Sequence, residues 1–300
     1  MSYTDFPNGV TSFGIPLPNA GQDISGSTYF VDNNSGLDTN DGSSFERAFK
    51  TLSRAITISN TDIARGSDRW ARRNTIYYAA DTETADLVVF PNKCDVIGVG
   101  SYDANSQPGI YGHHVPVNAG NYGTRFINVW FKSTAAATPI FTLASSSSGV
   151  QFHNCTFTTN GTTTIGIQAT ASPFLKVKNC RFEGAFATSY ITLGTGESGG
   201  TEIIGNQMFD AVTSGIVAGS GMTASWGSVI ADNIIYAPGI VINDGASLFF
   251  VTGNKLMSAA SPTGIASPLE ALIVNELRAA DNWLTTTTTS APHPFTDTAT

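Results

Sequence analysis

A six-residue phrase written seven times between Phe126 and Leu284 restricts this chain to stacked architectures. It runs apolar, any, Asn/Gly/Asp, Asn/Cys/Val, any, apolar. The copies are Phe126-Ile-Asn-Val-Trp-Phe131, Phe152-His-Asn-Cys-Thr-Phe157, Val177-Lys-Asn-Cys-Arg-Phe182, Ile203-Ile-Gly-Asn-Gln-Met208, Ile230-Ala-Asp-Asn-Ile-Ile235, Val251-Thr-Gly-Asn-Lys-Leu256 and Ala279-Ala-Asp-Asn-Trp-Leu284. Their fourth positions, Val129, Cys155, Cys180, Asn206, Asn233, Asn254 and Asn282, step by 26, 25, 26, 27, 21 and 28 residues. A period in that range marks a solenoid, in which each repeat packs only on its neighbours.

The third position is always Asn, Gly or Asp, the residues that tolerate left-handed backbone. One such residue between two short extended runs makes a bend, so the apolar residues on both sides point inward. The fourth position is expected to face inward too. Where it is Asn, stacked side chains at the ~4.8 Å spacing of paired strands can bond amide to amide as a ladder. Further β-prone runs lie between the phrases at Pro139–Leu143, Ile165–Ile167, Tyr190–Leu193, Gly215–Val217 and Gly239–Ile242, separated by Gly, Ser and Thr. Two or three strands per repeat predict an all-β parallel β-helix. A leucine-rich repeat has a similar period but needs a Leu framework, and Leu is scarce here.

Charged residues make up 13% of the chain and the net charge is −8, which argues against nucleic acid, whose phosphates need a basic face. Seven of the fifteen Lys and Arg fall between Arg47 and Arg73, read as a solvated helix face with an acidic docking partner as the alternative. Cys155 and Cys180 occupy equivalent phrase positions. With Cys94 they are expected to be buried apolar fillers rather than a disulfide or metal framework. No stretch has membrane-spanning length and no basic-then-apolar leader opens the chain, so a soluble, non-exported protein is expected.

Residues 1–28 form an extended arm whose Phe6, Phe13, Ile15 and Leu17 are too apolar for an idle tail; the arm packs back on its own rod or docks on a neighbour. Residues 29–75 hold a short strand and a capping helix, which Ser43 to Glu46 would open as a capping box. Phe45, Ala48, Phe49, Leu52, Ala55 and Ile56 fall on one helical face, suited to covering the open end of the first repeat. Asp32, Asp38, Asn40 and Asp41 read as hydrogen-bonded turns, since their spacing fails the EF-hand pattern. The repeat region spans 76–285 and a Thr/Pro-rich tail 286–300.

Tyr29-Phe-Val-Asp-Asn-Asn-Ser-Gly-Leu-Asp-Thr-Asn-Asp-Gly42, followed by Ala48-Phe-Lys-Thr-Leu52 and Ala55-Ile56, resembles the opening segment of right-handed β-helix proteins. Pectate-lyase-like enzymes and phage tail spikes share that segment. Asp5-Phe-Pro-Asn-Gly-Val-Thr-Ser-Phe-Gly-Ile-Pro-Leu17 is similar to the start of bacteriophage virion proteins. The resemblance implies a single-stranded right-handed parallel β-helix on a virion. It covers about thirty residues of opening motif plus a short arm, and says little of activity.

A polysaccharide-cleaving site would need carboxylates on one face, about 5–10 Å apart for a glycosidase. Only Glu183 and Asp210 approach equivalent positions in neighbouring repeats, with Arg181 close by, and their register is offset by one. They are the weak catalytic candidates against a bland outer face. His113 and His114 would point to opposite faces of a strand, His153 lies at an outward phrase position, and His293 is in the tail. No metal ligand set or cofactor motif emerges. Trp130 and Trp283 at the outward fifth phrase position, with Tyr236, are expected to bind a ligand or meet another subunit.

The expectation is thus a non-enzymatic virion protein, a homotrimeric rod decorating the capsid or tail. The arm would anchor it to capsid or tail proteins, and host surface polysaccharide is a candidate partner. It would be made in the host cytoplasm and exposed on the particle, without nucleic acid or membrane insertion. The alternative is a tail-spike-type polysaccharide lyase or hydrolase.

Overall fold

The structure is a computed structural model. It describes residues 26–64, 72–80, 82–101, 106–117, 122–133, 137–145, 147–159, 163–209, 213–219, 221–223, 227–237 and 249–256 with their side chains. It also gives the backbone of the strands at 11–12, 15–16, 240–244, 257–258, 265–266, 278–280, 283–286 and 293–294.

The bends form as the residue types require. Asn128, Asn154, Asn179, Gly205, Asp232 and Gly253, all third phrase positions, have φ between 52° and 69°. Such a residue interrupts strand alternation, so the first, fourth and sixth phrase residues can all turn inward. They do: Phe126, Val129 and Phe131 are fully buried, as are their counterparts through Cys155, Cys180 and the three described asparagines. A second left-handed column, not evident in the sequence, lies three residues before the first four phrases, at Gly123, Gly149, Phe174 and Gly200, and is preceded by Lys93. Its amides pair from one repeat to the next, as Gly149 N does with Pro173 O at 2.8 Å. Lys93 and Phe174 share no side-chain type with the glycines, which hid the column.

The chain is all-β apart from short helices, and its main sheets are parallel. The first, here sheet I, runs Thr28–Asp32, Asn74–Ala79, Cys94–Gly98, Arg125–Ile127, Gln151–His153, Lys176–Lys178, Glu202–Ile204, Ser228–Ala231, Phe249–Thr252, Arg278–Ala280. Sheet II runs Thr82–Thr84, Gly109–Tyr111, Trp130–Lys132, Thr156–Thr158, Arg181–Glu183, Gln207–Met208, Ile234–Tyr236, Lys255–Ser258, Trp283–Thr286, with His293–Pro294 added antiparallel. Sheet III runs Phe141–Leu143, Ile165–Ala169, Ser189–Leu193, Ser214–Ala218, Ile240–Asp244, Ile265–Ala266, its first five strands matching the five runs between phrases. The register aligns the phrases as the sequence does. First positions pair in one column from Phe126 to Ala279. Sixth positions pair in another from Phe131 to Leu284. Parallel sheets in which each repeat adds one strand per sheet are compatible with a parallel β-helix. No helix among the described residues is long and apolar enough to cross a membrane.

Inside, identical side chains stack. Phe126 lies on Phe152 at 5.6 Å, and Phe131, Phe157 and Phe182 follow one another at 5.5 and 4.5 Å between ring centroids. Each buried Phe contributes about 1.5–3 kcal/mol of transfer free energy. The fourth-position column holds the predicted ladder: Asn206 Nδ2 donates to Asn233 Oδ1 at 2.9 Å and Asn233 Nδ2 to Asn254 Oδ1 at 2.8 Å. Each Nδ2 also donates to the first-position carbonyl one repeat back, Val177, Ile203 and Ile230. Each Oδ1 accepts the backbone N–H of the residue beneath, so Cys180 N bonds Asn206 Oδ1 at 2.8 Å. The cysteines copy part of this: Cys155 Sγ donates to Phe126 O and Cys180 Sγ to Phe152 O.

The N-terminal segment departs from the expected capping box. Phe45–Arg47 is a short 3-10 turn, Ser44 makes no side-chain cap bond, and Phe45 is 41% exposed. The helix is Leu52–Ala64. Its first turn is capped by Thr51 Oγ1, which accepts Arg54 N, and by the carboxylate of Glu83, which accepts Leu52 N at 3.2 Å. Asp38 holds the backbone of Lys50 and Thr51, preventing an earlier helical start. Leu52, Ala55 and Ile56 are buried in one cluster with Val31, Ile76 and Tyr78. Gly42 O and Phe49 O accept from Phe30 N and Asp32 N, so the outer edge of strand Thr28–Asp32 is satisfied.

Asn233 makes four side-chain bonds in the ladder, two accepted and two donated. Asn233→Ala strands buried partners above and below and should cost about 3 kcal/mol or more in urea unfolding. Cys180→Asn extends the ladder and should stay within about 1 kcal/mol of the parent; equal losses in the two variants would contradict the ladder's role.

Candidate functional site

Alternation along each strand leaves one set of side chains outside, and the outer face of sheet II gathers most of the candidates. Trp130 lies in a register column that continues through Thr156, Arg181, Gln207, Ile234 and Lys255 to Trp283. The two tryptophans singled out from the sequence therefore share one column, six strand steps or roughly 29 Å apart. The side chain of Trp283 lies outside the described residues. Tyr236 sits two residues along its strand from Ile234, partly exposed, after the buried Ile235.

At the Trp130 end the geometry is specific. Its indole Nε1 donates to Thr158 Oγ1 on the next strand at 2.8 Å. An indole reaching diagonally like this lies along the sheet, and Thr156 beside it is left only 1% exposed. Tyr111 stands nearly perpendicular to it, ring centroids 5.2 Å apart at 78°. Lys132 places Nζ 5.2 Å from the Tyr111 ring and 5.8 Å from the Trp130 ring. Sequence inspection missed Lys132 and Tyr111. Lys132 has the same strand parity as Trp130, two residues back, which was a usable signal; Tyr111 precedes the first phrase and had no copy to align with.

Of the carboxylate candidates, Glu183 is described. Glu183 bonds Arg181 on its own strand. The register Arg181↔Gln207 and Phe182↔Met208 brings Phe209 level with Glu183. Asp210 lies outside the described residues.

On sheet I the outward charges also neutralise one another. Asp95 binds Arg73 and Arg125, and Glu202 binds both Lys176, at 2.6 Å, and Lys178. These cations hold the Glu202 carboxyl below its usual range despite partial burial. The adjoining outward column is apolar at its N-terminal end, pairing Phe30, Tyr77, Ile97 and Ile127, all partly exposed.

Other candidates resolve into structure. Asp32, Asp38 and Asp41 accept the N–H groups of Asn34, Ser35, Lys50, Thr51 and Ser43, which are turns and not a cation site. In the basic segment, Arg47 pairs with Asp41 and Arg72 with Asp62, while Arg65 and Arg69 lie outside the described residues. All three cysteines are free and buried; burial pushes the Cys94 thiol up to about 12 and Cys180 well above its ordinary value. Among the described residues no group of His, Cys, Asp and Glu could hold a metal ion. Of the arm residues, Ile15 falls in a two-residue strand, Ile15–Pro16, antiparallel to Thr11–Ser12; Phe6, Phe13 and Leu17 lie outside the described residues.

Two ionisable groups are buried: Glu83, which carried no sequence signal, and His114, whose adjacency to His113 puts the two rings on opposite faces. Glu83 is pushed up by burial, partly offset by the Leu52 N–H it accepts. His114 is fully buried against Phe141 and Phe131 and accepts Leu87 N at Nδ1, 3.1 Å. Burial, helped by the neighbouring His113 charge, lowers its pKa to about 3.

Compared with known proteins, the chain matches no family model, no curated protein and no solved structure.

His114 stays neutral when folded and titrates near 6.5 when unfolded. The unfolded state therefore binds the extra proton, and stability is complete above pH ~6.5 and lost as pH falls toward 3. His153, whose pKa is lowered by burial and then by Lys178, Arg125 and Lys176, adds to the same decline. His114→Gln keeps an acceptor for Leu87 without titrating. Its unfolding free energy should fall less steeply between pH 6 and 5, by up to about 1.4 kcal/mol per pH unit. An unchanged slope would contradict the buried neutral imidazole.

Proposed function

We propose that this chain is a structural protein of a bacteriophage particle, a right-handed single-stranded parallel β-helix that stands on the virion surface as a homotrimer. Right-handedness follows from the general preference of crossovers between parallel strands. The observation that carries the structural reading is the pairing of charge on the outer faces. Asp95, Glu183 and Glu202 each bind neighbouring cations, so these carboxylates serve cross-strand and along-strand neutralisation. A catalytic pair would need two carboxylates facing one cleft.

The similarity of residues 5–17 to virion proteins supports the particle, and the arm would anchor the rod to capsid or tail. The apolar column Phe30, Tyr77, Ile97 and Ile127 supports contact between subunits, since a row of outward aliphatic and aromatic side chains is unusual on an isolated rod. Partly exposed Trp130 on sheet II would meet host glycans.

Light scattering on the full chain should give three times the monomer mass of 31.5 kDa. Ile97→Lys with Ile127→Lys should reduce it to the monomer. A stable monomer of the parent protein would contradict the trimer. Incubation with host surface polysaccharide should release no new reducing or unsaturated ends; turnover abolished by Glu183→Gln would replace this reading with the polysaccharide-cleaving one.

A further inference from the structure

The geometry points to a binding site for carboxylated saccharides, of the uronic acid type, at Trp130, Tyr111 and Lys132 on the outer face of sheet II. The assignment rests on the glycan contact proposed above and specifies its chemistry.

Three features converge on one spot. The Trp130 indole is tied down by its bond to Thr158 and stays partly exposed, leaving part of an aromatic face open beside the Lys132 ammonium. Sugar rings present axial C–H bonds to such a face, and an aromatic ring already immobilised loses little freedom on binding. Tyr111, at 78° to the indole, forms a wall at the platform's edge. Lys132 lies in the crease between the two rings.

Lys132 decides the chemical class. Most described cations of the two outer faces have a carboxylate partner: Arg73, Arg125, Lys176, Lys178 and Arg181. Lys132 makes no ion pair among the described residues; its neighbours are the two rings. An ammonium held over aromatic faces keeps its charge available to an incoming anion. The chain carries −8 overall, so an extended polyanion is repelled elsewhere and the attraction is local. A saccharide fits better than a second copy of this chain because it supplies both a flat C–H face for Trp130 and a carboxylate for Lys132. The apolar sheet I column lacks that mixture.

The column extends the site. Thr158, having accepted the indole N–H, keeps its own hydroxyl proton to donate. Gln207 and Lys255 are exposed farther along, and Lys255 is the register partner of Trp283. A tryptophan with a lysine next to it, partly exposed Lys132 in one case and exposed Lys255 in the other, thus occurs at two places along the sheet, as suits a saccharide chain of several units laid parallel to the stack.

The test compares three hexasaccharides with the same linkage, of glucuronate, of glucose and of 6-sulfated glucose, by calorimetry on the full chain. The glucuronate oligomer should bind about tenfold more tightly than the glucose one, the worth of one charge-assisted contact. Lys132→Gln should remove that preference, Lys132→Arg should retain most of it, and Trp130→Ala should weaken both oligomers. Equal binding of glucose and glucuronate, or a preference surviving Lys132→Gln, would overturn the acidic assignment while leaving glycan contact standing. Equal or tighter binding of the sulfated oligomer would overturn the carboxylate assignment. Absence of any binding by a chain that scatters as a trimer would overturn the site and the glycan contact, and leave the rod intact.

Discussion

Everything in this chain depends on a bend made by one residue. A strand alternates its side chains, so a chain that must wrap around a core cannot remain a strand. A left-handed residue at the third phrase position breaks the alternation once per repeat and turns both flanks inward. The bend leaves polar backbone groups facing the interior, where an unpaired donor or acceptor costs roughly 1–3 kcal/mol. The neighbouring repeat supplies partners through asparagine side chains at Asn206, Asn233 and Asn254 and through the thiols of Cys155 and Cys180. One repeat is therefore incomplete alone, and stacking follows from the bend.

The same constraint accounts for the ends. A stack must stop, and its last strands expose unpaired edges. At the N-terminal end the segment from Gly42 to Phe49 bonds the edge of strand Thr28–Asp32, and the helix Leu52–Ala64 lays Leu52, Ala55 and Ile56 on the core. Sheet III starts later than the others, and where it gives out His114 fills the place of a strand partner, taking the Leu87 N–H on its ring. A buried imidazole is costly to charge, which links this edge to the pH dependence of the fold. With the core assigned to bends, stacks and edges, chemistry is confined to the outer faces. There the charges largely answer one another, and the aromatic–lysine cluster stands apart.

The repeat was legible because selection of residue type at the bend is strict: only Asn, Gly and Asp occur there, so alignment by bend placed all seven copies in the observed register. The inward fourth position followed, and with it the burial of Cys155 and Cys180. The second bend column was hidden because Lys93 and Phe174 adopt the left-handed conformation without glycine or asparagine to announce it. The capping box at Ser43 misled because Asp38 takes the amides of Lys50 and Thr51, a contact between residues distant in sequence. Glu83 and His114 act across repeats in the same way. Trp130 was found from its phrase position, whereas Tyr111 and Lys132 matter only through their disposition around its ring.

One phrase period is one removable layer of the stack, and excision of a period tests this directly. Deleting residues 181–206 joins Cys180 to Gln207 and preserves the phrase, as Val177-Lys-Asn-Cys180 followed by Gln207-Met208. Far-UV circular dichroism and thermal unfolding should show a β-rich, cooperatively folded protein, shorter by one repeat. Deleting only residues 181–193 removes half a period, throws every later strand out of register, and should abolish cooperative unfolding. If the full-period deletion unfolds like the half-period one, the repeat is not the unit of this fold.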